Sequence, residues 1–230
     1  MRVYLLRHGQ TPSNVAGLLD TDAPGPGLTP LGERQAEALP GAFGDRRLDA
    51  LVVSTLERTR LTAGPLAHGL GLEPLVLDGL REVEAGDLEM SSDRADHHTY
   101  VTTAFAWARG DLDRRIPGGP DGHTFLGRFD RSLEQIASRG WEDVALVSHG
   151  AAIRSWASAR VSGTDLETIE HTPLANTGLV EIEGDPDAGW RLVDWTSRPF
   201  GGAHLTTLQA DDPTGEAVEA DDPTGEAVEA

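Results

Sequence analysis

Short apolar runs alternate with longer stretches of helical period along the first two hundred residues of the chain. Val3 to Leu6, Leu51 to Val53 and Val144 to Val147 are compact, rich in β-branched residues and free of polar alternation, the pattern of strands covered on both faces. Between the first two, Thr29-Pro30 predicts a helix start, with threonine as the cap and proline in the first turn, where its missing N–H costs nothing. Leu31, Ala38, Leu39, Ala42 and Phe43 continue that helix's apolar positions, and Pro40-Gly41 ends or kinks it. Ser54-Thr55-Leu56-Glu57 reads as a capping box, serine first and glutamate three residues later, so a helix is predicted directly after the second strand. Phe125, Phe129, Leu133, Ile136 and Ala137 share one helical face just before the third strand. Gly178 to Glu183 and Trp190 to Trp195 predict two strands around a turn at Gly184-Asp185-Pro186. This order specifies an α/β fold: three layers, a mostly parallel sheet with helices on both faces.

Composition narrows the function. The 230 residues are 38% hydrophobic and 25% charged, enough for a sizeable core and incompatible with disorder throughout. All 19 basic residues are arginine, against 38 acidic ones, for a net charge of −19. Such a chain repels phosphate backbones and anionic lipid, so neither nucleic acid nor a membrane surface is an expected partner. Without cysteine there is no disulfide, thiolate metal site or thiol catalysis. No apolar run approaches the roughly 18 residues of a membrane span. The run Val3 to Leu6 ends at Arg7, too short for a signal-peptide core, so the expected compartment is the cytoplasm. Asp211 to Ala220 recurs letter for letter as Asp221 to Ala230, four acids and no base in each copy. Residues 1–210 are therefore expected to form the domain, and 211–230 a solvated, disordered acidic tail.

Each of the three buried runs ends abruptly in polar residues. The first meets Arg7-His8-Gly9, the second Ser54 and then Arg58, and the third Ser148-His149-Gly150. In parallel sheets the ligand crevice lies outside the carboxyl ends of the strands, so these residues are expected to converge. Two histidines, two arginines and backbone amides from Gly9, Gly150 and a helix start then make a positive pocket in an acidic chain. That inversion points to a small anion, most naturally a phosphoryl group. His97-His98 and His123 do not make a metal site: adjacent histidines point different ways and no third ligand has a motif.

These motifs carry a resemblance. Leu6-Arg7-His8-Gly9-Gln10-Thr11 with Asn14 resembles the signature of the histidine phosphatase superfamily, the phosphoglycerate-mutase-like proteins. Leu28-Thr29-Pro30-Leu31-Gly32 with Gln35-Ala36 resembles its next block, and Ser54 to Thr59 with Thr62-Ala63 the block of its second arginine. Leu80-Arg81-Glu82 with Gly86 resembles the block of its catalytic acid, and Val147-Ser148-His149-Gly150 that of its second histidine. Two places depart from the pattern. Leu88-Glu89-Met90 stands where the family usually has an aromatic residue and Glu-Gly, and Gly122-His123-Thr124 where many members have Gly-Glu-Ser. Both flank the segment 88–124, an inserted cap expected to cover the strand ends and select the substrate.

The resemblance implies the roles. His8 is the expected nucleophile, forming a phosphohistidine. Arg7, Arg58 and His149 would hold the non-bridging oxygens, with Gln10, Thr11, Asn14 and Gly150 as further phosphate contacts. Glu82 would protonate the leaving alkoxide and then deprotonate the hydrolytic water. The expected reaction is phosphomonoester hydrolysis of a small phosphorylated metabolite by a monomer or homodimer, without metal or cofactor. A phosphoglycerate mutase, returning the phosphoryl group to the substrate, and a non-catalytic phosphate-binding scaffold are the alternatives.

Overall fold

The computed structural model describes residues 1–206 and Thr214. The first two apolar runs form β1 (Arg2–Arg7) and β2 (Ala50–Val53), followed by the two-residue β3 (Leu75–Val76). The third run forms β4 (Asp143–Ser148). Beyond it come β5 (Val161–Ser162), β6 (Leu179–Asp185) and β7 (Gly189–Thr196). They make one seven-stranded sheet in the order β3-β2-β4-β1-β6-β7-β5. The centre is parallel as the pattern predicts, while β6 runs antiparallel to both β1 and β7. β1 and β4 are in register from Arg2 opposite Asp143 to Arg7 opposite Ser148, so both end at the same level.

Alternate side chains of each central strand enter different layers. Val3, Leu5, Val52, Val144 and Leu146 pack with residues of α5 (Arg94–Ala108), α6 (Gly122–Ala137) and α7 (Gly150–Arg160). Tyr4, Leu6, Leu51, Val53 and Val147 pack on α3 (Leu39–Phe43) and α4 (Glu57–Leu70), and α2 (Pro30–Glu37) lies against α4. The three layers follow.

Local chemistry explains several boundaries. Thr29 Oγ1 caps α2 by accepting from the Gly32 amide at 3.1 Å. Pro40 does not kink α2: it sits in the first turn of α3, a separate helix. The predicted capping box shifts as well, since the cap of α4 is Leu56. Ser54 Oγ accepts from the Leu56 amide at 3.2 Å instead, and so is turned toward the end of β4. Of the repeated tail, 211–213 and 215–230 lie outside the described residues. Thr214 is buried, 7% exposed, where a solvated position was expected.

Candidate active site

β1 delivers Arg7 and His8 to the carboxyl edge of the sheet. The His8 amide donates to the Ser148 carbonyl (3.0 Å), and its own carbonyl accepts from the Thr177 amide (3.3 Å) and Asn176 Nδ2 (3.2 Å). The next position has to be glycine, because a Cβ on Gly9 would lie 2.8 Å from the Gly32 carbonyl oxygen in the first turn of α2. The His8 ring is buried, with Nδ1 2.8 Å from the Gly9 carbonyl. A carbonyl only accepts, so Nδ1 carries the hydrogen and Nε2 keeps its lone pair. Burial first, then the charges of Arg58 and Arg7, hold this imidazole well below the usual histidine range.

Thr11 and Asn14 lock the following turn, α1 (Pro12–Ala16), by a reciprocal pair of side-chain to backbone bonds. Asn14 Oδ1 also accepts from Asn176 Nδ2 at 3.2 Å, leaving Nδ2 as the end of the amide able to serve an anion. Gln10 turns the other way, its Oε1 accepting from Thr29 Oγ1 at 2.8 Å.

Arg58, in the first turn of α4, donates from Nε to His149 Nδ1 (3.3 Å) and from Nη2 to the Asp20 carbonyl (3.0 Å). Its buried Nη1 makes no hydrogen bond and lies 3.9 Å from Asp20 Oδ1. His149 caps α7 and sits with its Nε2 2.8 Å from Ser54 Oγ. Because a guanidinium only donates, Nδ1 is the acceptor and Nε2 carries the hydrogen. Burial, then Arg58 and His8, keep His149 well below the usual range. The two imidazole centroids are 5.2 Å apart. The loop that offers the Asp20 carbonyl is itself pinned: Glu89 accepts from the Thr21 amide (2.8 Å), the Thr21 hydroxyl and the Asp22 amide (3.1 Å).

Glu82 is buried beside them. Its Oε1 accepts from the Val83 amide (2.9 Å) and the Ala152 amide (2.8 Å), and its Oε2 from the Ala151 amide (3.3 Å). Burial pushes this carboxyl up, opposed by those amides and by Arg58 and Arg7. Arg128 of α6 donates to the carbonyls of Gly79 (2.7 Å), Arg81 (2.8 Å) and Glu82, and Ser148 Oγ to that of Leu80 (2.8 Å). The segment bearing the carboxyl is thus held from both sides. Here part of an expectation is corrected: the Ala151 and Ala152 amides, in the first turn of α7, donate to Glu82, and the Gly9 amide donates to Thr62 Oγ1 at 2.8 Å. Cation charge, more than free backbone N–H groups, is what the site offers an anion.

His8, Thr11, Asn14, Arg58 and Glu82 share one small cavity, walled also by Ser13, Leu18, Asp20 and Thr214. Arg7, Gln10, His149 and Gly150 are not among its walls, although Arg7 and His149 are hydrogen-bonded to two of them, Thr214 and Arg58. Arg7 donates to the Leu174 carbonyl (2.7 Å) and to Thr214 Oγ1 (3.2 Å), and a Cβ on Gly150 would lie 2.5 Å from the Thr214 carbonyl oxygen. The insert 88–124 supplies no wall, but the Met90 amide and Ser91 carbonyl pair with the Leu19 backbone beside the cavity. Thr214, Asn176 and Asp20 are residues the sequence left unmarked, whereas Ser54 was expected at this edge of the sheet. Among the described residues no group of three His, Asp or Glu is placed to hold a metal ion, and no helix is long and apolar enough to cross a membrane.

Comparison with known proteins gives the chain's family. The chain is 36% identical over 224 residues (89% of its length) to the PE-PGRS family protein PE_PGRS11 of Mycobacterium tuberculosis, and spans 38% of that protein. It is 34% identical over 151 residues to the adenosylcobalamin/alpha-ribazole phosphatase of Salmonella typhimurium, covering 65% of this chain and 74% of that one. The solved structure of mycobacterial glucosyl-3-phosphoglycerate phosphatase with VO3 superposes with a TM-score of 0.69 at 26% identity, covering 85% of this chain and 98% of that one. The family model described as histidine phosphatase superfamily (branch 1) matches residues 3–198, and the chain belongs to that superfamily.

Proposed function

We propose that the protein is a phosphomonoesterase that hydrolyses a small phosphorylated metabolite through a phosphohistidine at His8. The observation that carries this is the His8 ring itself: neutral, Nδ1 tied to the Gly9 carbonyl, Nε2 left with its lone pair, beside two buried guanidiniums. Nε2 attacks phosphorus in line, the bond to the ester oxygen breaks, and the protonated Glu82 carboxyl gives its proton to that oxygen as the alcohol leaves. The carboxylate then takes a proton from water, whose oxygen attacks phosphorus; the N–P bond breaks and inorganic phosphate departs with Glu82 protonated again. Arg7, Arg58 and Asn14 Nδ2 are donors for the non-bridging oxygens, whose charge must be stabilised throughout. A bound anion also favours a proton on His149, turning its Nδ1 from acceptor to donor. The elevated carboxyl of Glu82 supports its role as the acid.

The test is to quench turnover of a panel of phosphate monoesters in the presence of a chelator. One acid-labile, base-stable phosphoryl group per chain is expected in the wild type and none in His8→Ala, which also loses turnover. Near-normal rates in His8→Ala overturn the mechanism. Isomerised phosphate ester in place of free phosphate makes the protein a mutase.

A further inference from the structure

We infer that Asp20 selects the alcohol half of the substrate: its carboxylate, standing in the wall of the phosphoryl cavity, rejects esters with a second anionic group and favours a neutral, hydroxyl-bearing or cationic alcohol. This rests on the reading of that cavity as a phosphate site. Asp20 shares the cavity with His8, Arg58 and Glu82, and its side chain is 13% exposed. Oδ2 accepts from Ser13 Oγ at 2.5 Å. Oδ1 accepts no hydrogen bond among the described residues and lies 3.9 Å from Arg58 Nη1.

The carboxylate is not what holds Arg58. The Asp20 backbone carbonyl and His149 Nδ1 take two of that guanidinium's donors, while the carboxylate keeps only a long contact with a third. Nor is it free to turn away. The Leu19 amide donates to the Ser91 carbonyl at 3.1 Å and the Asp20 amide to the Leu18 carbonyl at 3.0 Å, and Glu89 grips the two residues that follow. A Cβ on Gly25 would stand 2.5 Å from Arg58 Nη1 and 3.7 Å from Asp20 Oδ1, so the backbone there packs directly on the pair.

Charge then decides. A phosphate monoester brings roughly two negative charges near neutral pH, which Arg7 and Arg58 offset. Among the described residues that wall the cavity, Arg58 is the only permanent cation. A carboxylate or second phosphoryl group on the alcohol therefore meets Asp20 with no cation to spare. Oδ1 can only accept, and a hydroxyl or an ammonium is what it can take. A site built to accept from a polar hydrogen turns away groups that cannot supply one.

The test compares three esters with the same phosphoryl group: glycerol 3-phosphate; 3-phosphoglycerate, in which a carboxylate replaces CH2OH; and phosphoethanolamine, which carries an ammonium. Dissociation constants are read by calorimetry on the full chain in a His8→Ala background, so that no ester is consumed. The His8 ring is held neutral, and its removal leaves the charge of the site unchanged. With Asp20 present, 3-phosphoglycerate is expected to bind about tenfold or more weakly than glycerol 3-phosphate, the worth of a partly buried charge pair a few ångströms apart. Phosphoethanolamine is expected to bind at least as tightly as glycerol 3-phosphate. Asp20→Asn keeps an acceptor for Ser13 and the backbone carbonyl for Arg58, and is expected to bring the three constants within about threefold of one another. Asp20→Ser, which is smaller, is expected to do the same. A gap that survives both substitutions overturns selection by Asp20, and so does the lack of any gap in its presence; in either case the phosphatase reading stands. Absence of binding by all three esters in every form overturns that reading too.

Discussion

Glu82→Gln separates proton transfer from charge and from packing. In the wild type Oε1 takes two amides at 2.8 and 2.9 Å while Oε2 takes only the Ala151 amide at 3.3 Å, so Oε2 is the oxygen free to carry the proton. Glutamine with its carbonyl in the Oε1 position keeps both short bonds. Its NH2 then faces the Ala151 N–H, donor to donor, which forfeits one long hydrogen bond worth about 0.5–1.5 kcal/mol. Against that, the variant no longer holds a buried ionisable group whose charged form burial disfavours. Near neutral pH the melting temperature is therefore expected to change little. Catalysis is expected to change much more. General acid catalysis is worth roughly 10²- to 10⁴-fold, and it matters most when the leaving group is a poor one. Single-turnover phosphorylation of His8 by an alkyl phosphate should fall by about that factor. The same step with a nitrophenyl phosphate, which departs readily as the phenolate, should fall only several-fold. Single turnover is required because Glu82 also serves the water in the second step, and its loss slows dephosphorylation for both esters. Equal losses for the two esters would refute proton donation and leave Glu82 a positioning role. No loss in either would make it a bystander.

The neighbouring groups give further tests. Both buried imidazoles are held well below the ordinary value of 6.5, so the folded chain binds fewer protons than the unfolded one below that pH. Stability is present above about pH 6.5 and lost as pH falls, by about 1.4 kcal/mol per pH unit for each ring. Urea melts between pH 7.5 and 5.5 should show this slope, reduced by one ring's share in His8→Gln; an identical slope in the variant would show that His8 titrates normally. Glu89→Ala frees the loop whose Asp20 carbonyl holds Arg58, and is expected to raise KM for a phosphate ester more than tenfold, with Glu89→Gln restoring part of the loss; equal kinetics in all three would remove the positioning role. Gly9→Ala forces a methyl against the Gly32 carbonyl and is expected to cost about 1–3 kcal/mol in chemical denaturation, as overpacking does.

The three apolar runs stood out because strands buried on both faces need no polar alternation, and their polar ends marked Arg7, His8, Arg58 and His149 before any geometry was known. Glu82 became visible only through the resemblance, since its burial and its bonds to α7 come from a segment with no regular pattern. α5 was missed for a related reason. Its second half, with Tyr100, Val101, Thr103, Ala104, Phe105, Ala106 and Trp107, is buried, while its first half carries Arg94, Asp96, His97 and His98, so polarity is divided along the helix and makes no stripe for periodicity to reveal. Ser54 was read as a cap because its spacing to Glu57 fits one; its hydroxyl is used instead by His149, 95 residues away. Thr214 lay within a polar repeat whose composition speaks for solvent, and contact with Arg7 across 207 residues is beyond any local signal.

The pairing of β1 with β4 limits how this site can vary. His8 and His149 each follow the last paired residue of their strand, Arg7 and Ser148, which stand opposite one another. A single residue inserted in either strand would invert the faces of everything beyond it, turning core side chains to the wrong layer and drawing the two imidazoles apart by one step of the strand. Substitutions that keep volume can accumulate along these strands, whereas changes of length cannot. The distance between the two rings is thus inherited as a count of residues, and variation in length is confined to the connections that leave that count alone.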